Sequence, residues 1–260
     1  MNNLAMMRKT YFKGIFTLIL AAGLIGSEAY AQLSMGPRGG VNIGLVSSNQ
    51  PVDNLINIGF GGGLTFRYQF RGAAVKRLNL HGDALFNIQG TSSKLRTENS
   101  GVLVSEAETV NVRNNVQIPI YVGYEIPFGR KSLVPYDIKT SLISYHLYGG
   151  AALNYTLGMV SSTKTTTYNS DGSVDQVTQG ASATVESTEY KPLDIGLLLG
   201  NGFSIRLDQD NRQRLYVDAR YIMGFLNQSN VQGVEETWSA MQIQVAYTRV
   251  LTKRRYAGRP

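Results

Sequence analysis

The sequence predicts an all-β protein, an eight-stranded antiparallel transmembrane up-and-down β-barrel that follows a cleaved signal peptide. Three observations predict it. First, eight segments alternate apolar with polar or small residues at a period of two, the mark of a strand with one greasy and one wet face. Second, several of these runs exceed the usual strand of about 5–6 residues and match the roughly 9–11 residues of a tilted membrane-spanning strand. Third, charged residues make up only 17% of the chain, against about 25% in soluble proteins. The 28 glycines and 15 tyrosines suit strands, tight turns and interfacial rings.

The chain divides into a signal peptide at 1–31, a barrel at 32–251 and a basic tail at 252–260. Arg8, Lys9 and Lys13 form a basic n-region, Gly14 to Gly26 an apolar core, and Ala29 and Ala31 the small residues of a cleavage site before Gln32. That core is shorter than the roughly 17–25 residues of a helical span. Any membrane insertion therefore falls to the strands. There is no cysteine, which excludes disulfides, thiolate metal sites and a lipid-anchored Cys.

The segments follow one another along the chain. Val41, Ile43 and Leu45 alternate with Gly40, Asn42 and Gly44. From Asn57 to Arg71, Ile58, Phe60, Leu64, Phe66, Tyr68 and Phe70 share one parity, with glycines, Thr65, Arg67 and Gln69 on the other. The third sets Leu78, Leu80, Ala84, Phe86 and Ile88 against His81, Asp83 and Asn87. In the fourth, Val116, Ile118, Ile120, Val122 and Tyr124 oppose Arg113, Asn115, Gln117 and Glu125. Leu147, Ala151, Leu153, Tyr155 and Leu157 make the fifth, opposite His146, Tyr148 and Asn154. The sixth places Leu193, Ile195, Leu197, Leu199, Phe203 and Ile205 against Asp194, Ser204 and Arg206. The seventh has Leu215, Val217, Ala219, Tyr221 and Met223 against Asp218 and Arg220. The last has Met241, Ile243, Val245 and Tyr247 against Gln242 and Gln244. Asn114 and Asn201 fall on the apolar parity, while Leu85, Pro119, Leu198 and Ile222 fall on the polar one. Trp238 breaks the pattern of its strand, which predicts a bulge or a rim position there.

The connections alternate in character. Arg71–Arg77 and Asp208–Gln213 are short, whereas Ser92–Asn111 and Ser161–Tyr190 are long and polar. Long external loops and short periplasmic turns are the usual asymmetry of such barrels. Pro127–Ser144 is longer than a periplasmic turn should be. Asn99-Ser100-Gly101 and Asp171-Gly172 are turn signals, so the strands are expected to pair on beyond the bilayer. Tyr68, Phe70, Tyr124, Tyr145 and Tyr247 mark a periplasmic aromatic belt; Phe60, Tyr155, Phe225 and Trp238 mark an outer one. The bland alternative is a soluble β-sandwich or lipocalin-like barrel. Charges on nearly every wet strand face, in a chain with so little charge elsewhere, weigh against it.

The wet faces carry Arg67, Arg113, Arg206 and Arg220 against Asp83, Glu125, Asp194 and Asp218. Eight strands leave an interior just wide enough for side chains, and buried charges are ordinarily paired. A closed salt-bridged lumen is the expected result, with a narrow gated pore as the alternative. His81 and His146 are the only histidines. With Asp83 they suggest a barrel hydrolase or acyltransferase acting on lipid, but no Gly-x-Ser-x-Gly motif accompanies them and two imidazoles fall short of a catalytic zinc set. The expectation is therefore no catalytic, cofactor or metal residues and no enzyme. Gly59–Gly63 is no phosphate loop, since no helix start and no Lys-Ser/Thr follow; its inward glycines are expected to make room for Arg67 and its neighbours.

Several strands together resemble the PorT-like outer membrane barrels of Bacteroidota. The matching pieces are Gly-Gly-Gly-Leu-Thr-Phe-Arg-Tyr-Gln-Phe (61–70), Leu-Phe-Asn-Ile-Gln-Gly (85–90), Val-Gln-Ile-Pro-Ile-Tyr-Val-Gly-Tyr (116–124), Leu-Tyr-Gly-Gly-Ala-Ala-Leu-Asn-Tyr (147–155), Asp-Ile-Gly-Leu-Leu-Leu-Gly-Asn-Gly (194–202) and Val-Asp-Ala-Arg-Tyr-Ile-Met-Gly-Phe (217–225). The resemblance implies an integral eight-stranded barrel of the Gram-negative outer membrane, and one named member takes part in type IX secretion. The chain departs from that pattern in its tail, where Lys253, Arg254, Arg255 and Arg259 follow the last strand. The expected partners are outer membrane lipid and a protein met through loops 92–111 and 161–190 or the tail, within a secretion or envelope assembly. Nucleic acid is not expected, because four cations beyond a membrane strand in a secreted chain fit anionic lipid or a periplasmic partner.

Overall fold

The computed structural model describes residues 32–49, 53–55, 57–70, 77–99, 102–128, 142–186, 188–208 and 212–251. Ala29 and Ala31 with the signal segment, the tail at 252–260 and most of the 127–144 connection lie outside the described residues. Among the described residues eleven strands form in chain order: β1 (Gln32–Ser48), β2 (Asp53–Leu55), β3 (Asn57–Gln69), β4 (Leu78–Asn99), β5 (Val102–Phe128), β6 (Ile143–Tyr168), β7 (Val174–Gln179), β8 (Ala183–Thr184), β9 (Leu193–Arg206), β10 (Gln213–Gly224) and β11 (Glu236–Val250). Eight of them close an antiparallel ring in the order β1-β3-β4-β5-β6-β9-β10-β11, with β11 back on β1. The short strands sit outside the ring, β2 on β4 and β7 and β8 on β6.

The register fixes the barrel's geometry. From Ser34 the ladder runs through Arg67, His81, Tyr121, Gly150, Leu198, Ile222 and Ala240, and rejoins β1 at Gly44. The two β1 positions are ten residues apart, so the shear is ten for eight strands. With ordinary strand rise and spacing this sets a tilt of about 40° and a backbone radius of about 8 Å. Such a bore holds side chains and little else.

Burial runs opposite to that of a soluble barrel. Asn42, Asn87, Glu125 and Gln244 are buried at 1% exposure while Phe60 stands 63% and Ile58 59% exposed. The wet face is the lumen and the greasy face is the outer wall, which eliminates the soluble sandwich. The parity exceptions divide along the same line. Leu198 and Ile222 turn inward and join Tyr121, Tyr148 and Ala152 in a small apolar layer inside the lumen, and Leu85 is also buried. Asn201 lies exposed on the wall. Gly200 is needed beside that layer, because a Cβ there would lie 2.5 Å from the Tyr148 ring.

Three expectations are corrected. Trp238 belongs to neither a bulge nor the outer belt: it pairs with Val46 of β1 in a ladder without a shift, and its side chain is buried at the hairpin end of the lumen. The irregularity within the ring sits instead between Asn114 and Asn115, opposite Gly158 and Thr156, where Leu157 is the extra residue of β6, and two further shifts fall in the hairpins, at Thr97/Glu98 and Thr167/Tyr168. Finally, the glycines of β3 do not make room for Arg67. The space of a Gly61 Cβ is filled by the Asn87 amide, which is bonded to Asn42 (3.1 Å).

At one end, where β1 begins and β11 finishes, the strands stop close to the barrel wall. At the other they run on. β4 and β5 pair to Asn99 and Val102, and β6 pairs with β7 across a turn holding Gly172 at φ 81°. The left-handed backbone there suits glycine, and Asp171 Oδ1 accepts from Ser173 N (2.9 Å) and Oγ (2.6 Å). These are called below the terminal end and the hairpin end.

Candidate functional site: the charged lumen

Alternation on eight tilted strands brings polar side chains from every wall into one narrow bore, where they meet in three layers. Nearest the terminal end, Glu125 of β5 is held between two arginines. Arg67 Nη2 donates to Glu125 Oε2 (2.5 Å) and to Asn79 Oδ1 (2.8 Å), while its Nη1 donates to the Tyr216 hydroxyl (2.6 Å). Arg214 Nη1 donates to Glu125 Oε1 and to Ser204 Oγ (3.2 Å). Both carboxylate oxygens are thus engaged by charged donors, among the stronger hydrogen bonds a protein makes.

The middle layer is a chain of shared partners. Arg38 Nη2 donates to Asp218 Oδ2 (2.7 Å), and Nη1 lies 3.6 Å from Asp83. Asp83 Oδ2 also accepts from Arg220 Nη1 (2.8 Å). Arg220, with a side chain fully shielded from solvent, donates in addition to Gln242 Oε1 (2.6 Å) and Gln117 Oε1 (3.3 Å). His146 Nε2 is 2.5 Å from Asp218 Oδ1. His81 is stacked on Tyr121, their centroids 4.8 Å apart.

Toward the hairpin end the pairing changes. Arg113 lies over the Trp238 ring at 4.1 Å and donates to Gln89 Oε1 (3.1 Å). Asp194 accepts from the backbone of Leu226 (3.3 Å). Among the described residues neither stands within 4 Å of an opposite charge.

The structure therefore brings seven of the eight expected charges into the lumen and leaves Arg206 half-buried on the terminal rim, opposite Arg214. It adds two that sequence reasoning missed, Arg38 and Arg214. The expected balance of four against four is corrected: among the described residues five buried arginines (Arg38, Arg67, Arg113, Arg214 and Arg220) face four buried carboxylates (Asp83, Glu125, Asp194 and Asp218). Both missed residues carry the parity of their strands, Arg38 with Gly40 and Asn42, Arg214 with Asp218 and Arg220. Carrying the alternation two residues further back in each run would have found them.

The His146–Asp218 pair has the composition of a general base, yet both groups are buried beneath Tyr148 and Tyr216. Among the described residues no cluster of three His, Asp or Glu is placed to hold a metal ion.

Residues 27–230 match the profile of the family described as "Outer membrane protein beta-barrel domain". The chain belongs to that family. As an outer membrane barrel it is integral to that membrane, its apolar wall in lipid and its polar lumen enclosed. Solved structures similar to this barrel include OprG from Pseudomonas aeruginosa, at 13% identity over 85% of this chain and 96% of that chain, with a TM-score of 0.35. Neisserial surface protein A aligns at 12% identity over 84% and 97%, with a TM-score of 0.34. Ail of Yersinia pestis aligns at 12% identity over 83% and 97%, with a TM-score of 0.31. No curated protein matches the chain by sequence. In this outer membrane barrel the belt residues Tyr124 and Tyr145 reach the outer wall at the terminal end. Arg77 donates to the Tyr124 hydroxyl (3.0 Å) and Tyr145 packs on Phe203 at 5.2 Å.

Proposed function

We infer that the protein is a non-enzymatic outer membrane barrel, a structural and interaction module of the PorT-like kind working within an envelope or secretion assembly. One observation supports this most: the bore is filled through two successive layers by buried, mutually bonded side chains, from Glu125 with its two arginines to the Arg38–Asp218–Asp83–Arg220 chain. A filled bore turns the outside into the working surface. With the long hairpins outside, as is usual for such barrels, the β4–β5 and β6–β7 hairpins present residues 92–111 and 161–190 to a protein partner. The tail at 252–260 presents its cations to a periplasmic partner or to anionic lipid.

A narrow gated channel is the second reading. It draws on Arg38, which stands between two carboxylates and has an alternative partner at hand. Conductance in planar bilayers separates the two readings. The wild-type barrel is expected to stay silent, with Asp83→Ala and Arg220→Ala equally silent as long as they fold. Discrete wild-type openings that either substitution enlarges would overturn the structural reading in favour of the pore.

A further inference from the structure

Above the third layer, at the hairpin end, lies a cavity of about 470 Å³, within the usual size of small-ligand pockets (roughly 300–1,000 Å³). Arg113 from β5 and Trp238 and Glu236 from β11 line it, together with Glu189 and Tyr190 before β9 and Gln228 from the connection between β10 and β11. Two buried polar atoms among these residues have no hydrogen-bond partner, Arg113 Nε and Gln228 Oε1. Arg113 is 4% exposed and Gln228 3%. One is a donor on a cation and the other an acceptor. Leaving such groups unpaired is costly, about 1–3 kcal/mol for a neutral group and more for a charged one.

Among the described residues Arg113 is also the lumen arginine that no carboxylate has claimed within 4 Å. A guanidinium is a fork shaped for a carboxylate. Its aromatic support on Trp238 holds it in place without neutralising it. The rest of the lining supplies the opposite chemistry. The carboxylates of Glu189 and Glu236 and the free Oε1 of Gln228 are all acceptors, suited to an ammonium. The connection is braced for this by Gln228 N donating to Glu236 O (2.8 Å), Asn230 N to Glu189 O (3.0 Å) and the Tyr190–Ser229 bridge.

We propose that this vestibule is a binding site for a small zwitterion of the amino-acid or dipeptide class, its carboxylate on Arg113 and its ammonium against Gln228, Glu189 and Glu236. The protein carries its own reporter, because Trp238 is the only tryptophan in the chain. The test titrates the refolded full-length barrel in detergent with L-alanyl-L-alanine, following tryptophan emission and calorimetric heat. The N-acetylated and C-amidated dipeptides serve as comparison. Saturable binding of the free dipeptide at millimolar concentration or below, at least tenfold weaker for each blocked form, is the expected result. Arg113→Gln and Gln228→Leu should each weaken binding about tenfold, with heat-modifiable gel mobility confirming that each variant folds. Trp238→Phe should remove the emission change, since Trp238 is the only tryptophan in the chain. Absence of both signals with the free dipeptide overturns the proposal. Equal binding of the N-acetylated form overturns the ammonium half of the site, and unchanged affinity in folded Arg113→Gln or Gln228→Leu overturns the assignment of these residues.

Discussion

The two ends of the lumen treat an arginine differently. At the terminal end, Arg67 and Arg214 share the two oxygens of one glutamate. At the hairpin end, Arg113 rests on an indole, and its one side-chain acceptor among the described residues is an amide. The same residue type on the same kind of strand is a closed joint in one place and an open valence in the other. Neighbours decide which. Glu125 is opposed by arginines on strands from two sides of the bore, whereas Asp194, the carboxylate nearest in level to Arg113, is occupied by the backbone of the β10–β11 connection. Stability is concentrated where charges are satisfied, and chemistry is available where they are not.

Three measurements break or sharpen that contrast. The largest effect belongs to Glu125→Ala, which strands two buried guanidinium groups. Removing one partner of a buried ionic set costs about 3–5 kcal/mol, so urea unfolding followed by gel mobility should shift strongly toward lower denaturant. A shift no larger than that of a wall substitution would show that the clamp is dispensable. Arg113→Gln should change stability by only about 1 kcal/mol in either direction, because loss of the cation–π contact is offset by removal of an uncompensated charge. A penalty as large as that of Glu125→Ala would erase the distinction between the ends.

The smallest effect lies outside the membrane, on the β4–β5 hairpin. There Lys94 (2.7 Å) and Arg96 (3.2 Å) donate to Glu106 and hold its carboxyl below the usual carboxylate range. A depressed carboxyl contributes stability that is fully present above its unfolded pKa of about 4.3 and lost as the pH falls through the lower, folded value. Amide exchange in the 94–106 ladder should therefore be pH-neutral in its protection down to about pH 5 and lose protection below about pH 4. Glu106→Gln should show the weaker protection at every pH. Identical profiles in the two proteins would remove Glu106 from the hairpin's support.

Much of the fold was legible because a barrel repeats one rule. Parity puts Asn42, Asp83, Gln117 and Gln244 on one face and Phe60, Ile120 and Leu199 on the other without knowledge of any neighbour, and burial then says which face is the lumen. What escaped were the features defined by a partner strand. The Leu157 insertion exists only as a mismatch between β5 and β6. The residue type of Trp238 suggests an interfacial belt, while its position on the ladder says lumen. Arg38 was hidden by Pro37 and the glycines around it, which blur the start of β1, and Arg214 by its closeness to a turn. Residue type located the charges, but only the register could say which of them meet.

Arg38 has one more consequence, for assembly. It stands on the first strand of the ring, and its carboxylate partners stand two strands away on either side, Asp83 on β4 and Asp218 on β10. A sheet not yet joined at β1 and β11 holds Asp218 near one end of the ribbon and Arg38 at the other, leaving Arg38 only its longer approach to Asp83 and Asp218 only His146. Sewing the seam and neutralising that pair are a single event. The guanidinium acts as a latch that rewards only the fully closed cylinder and leaves the half-rolled intermediate expensive.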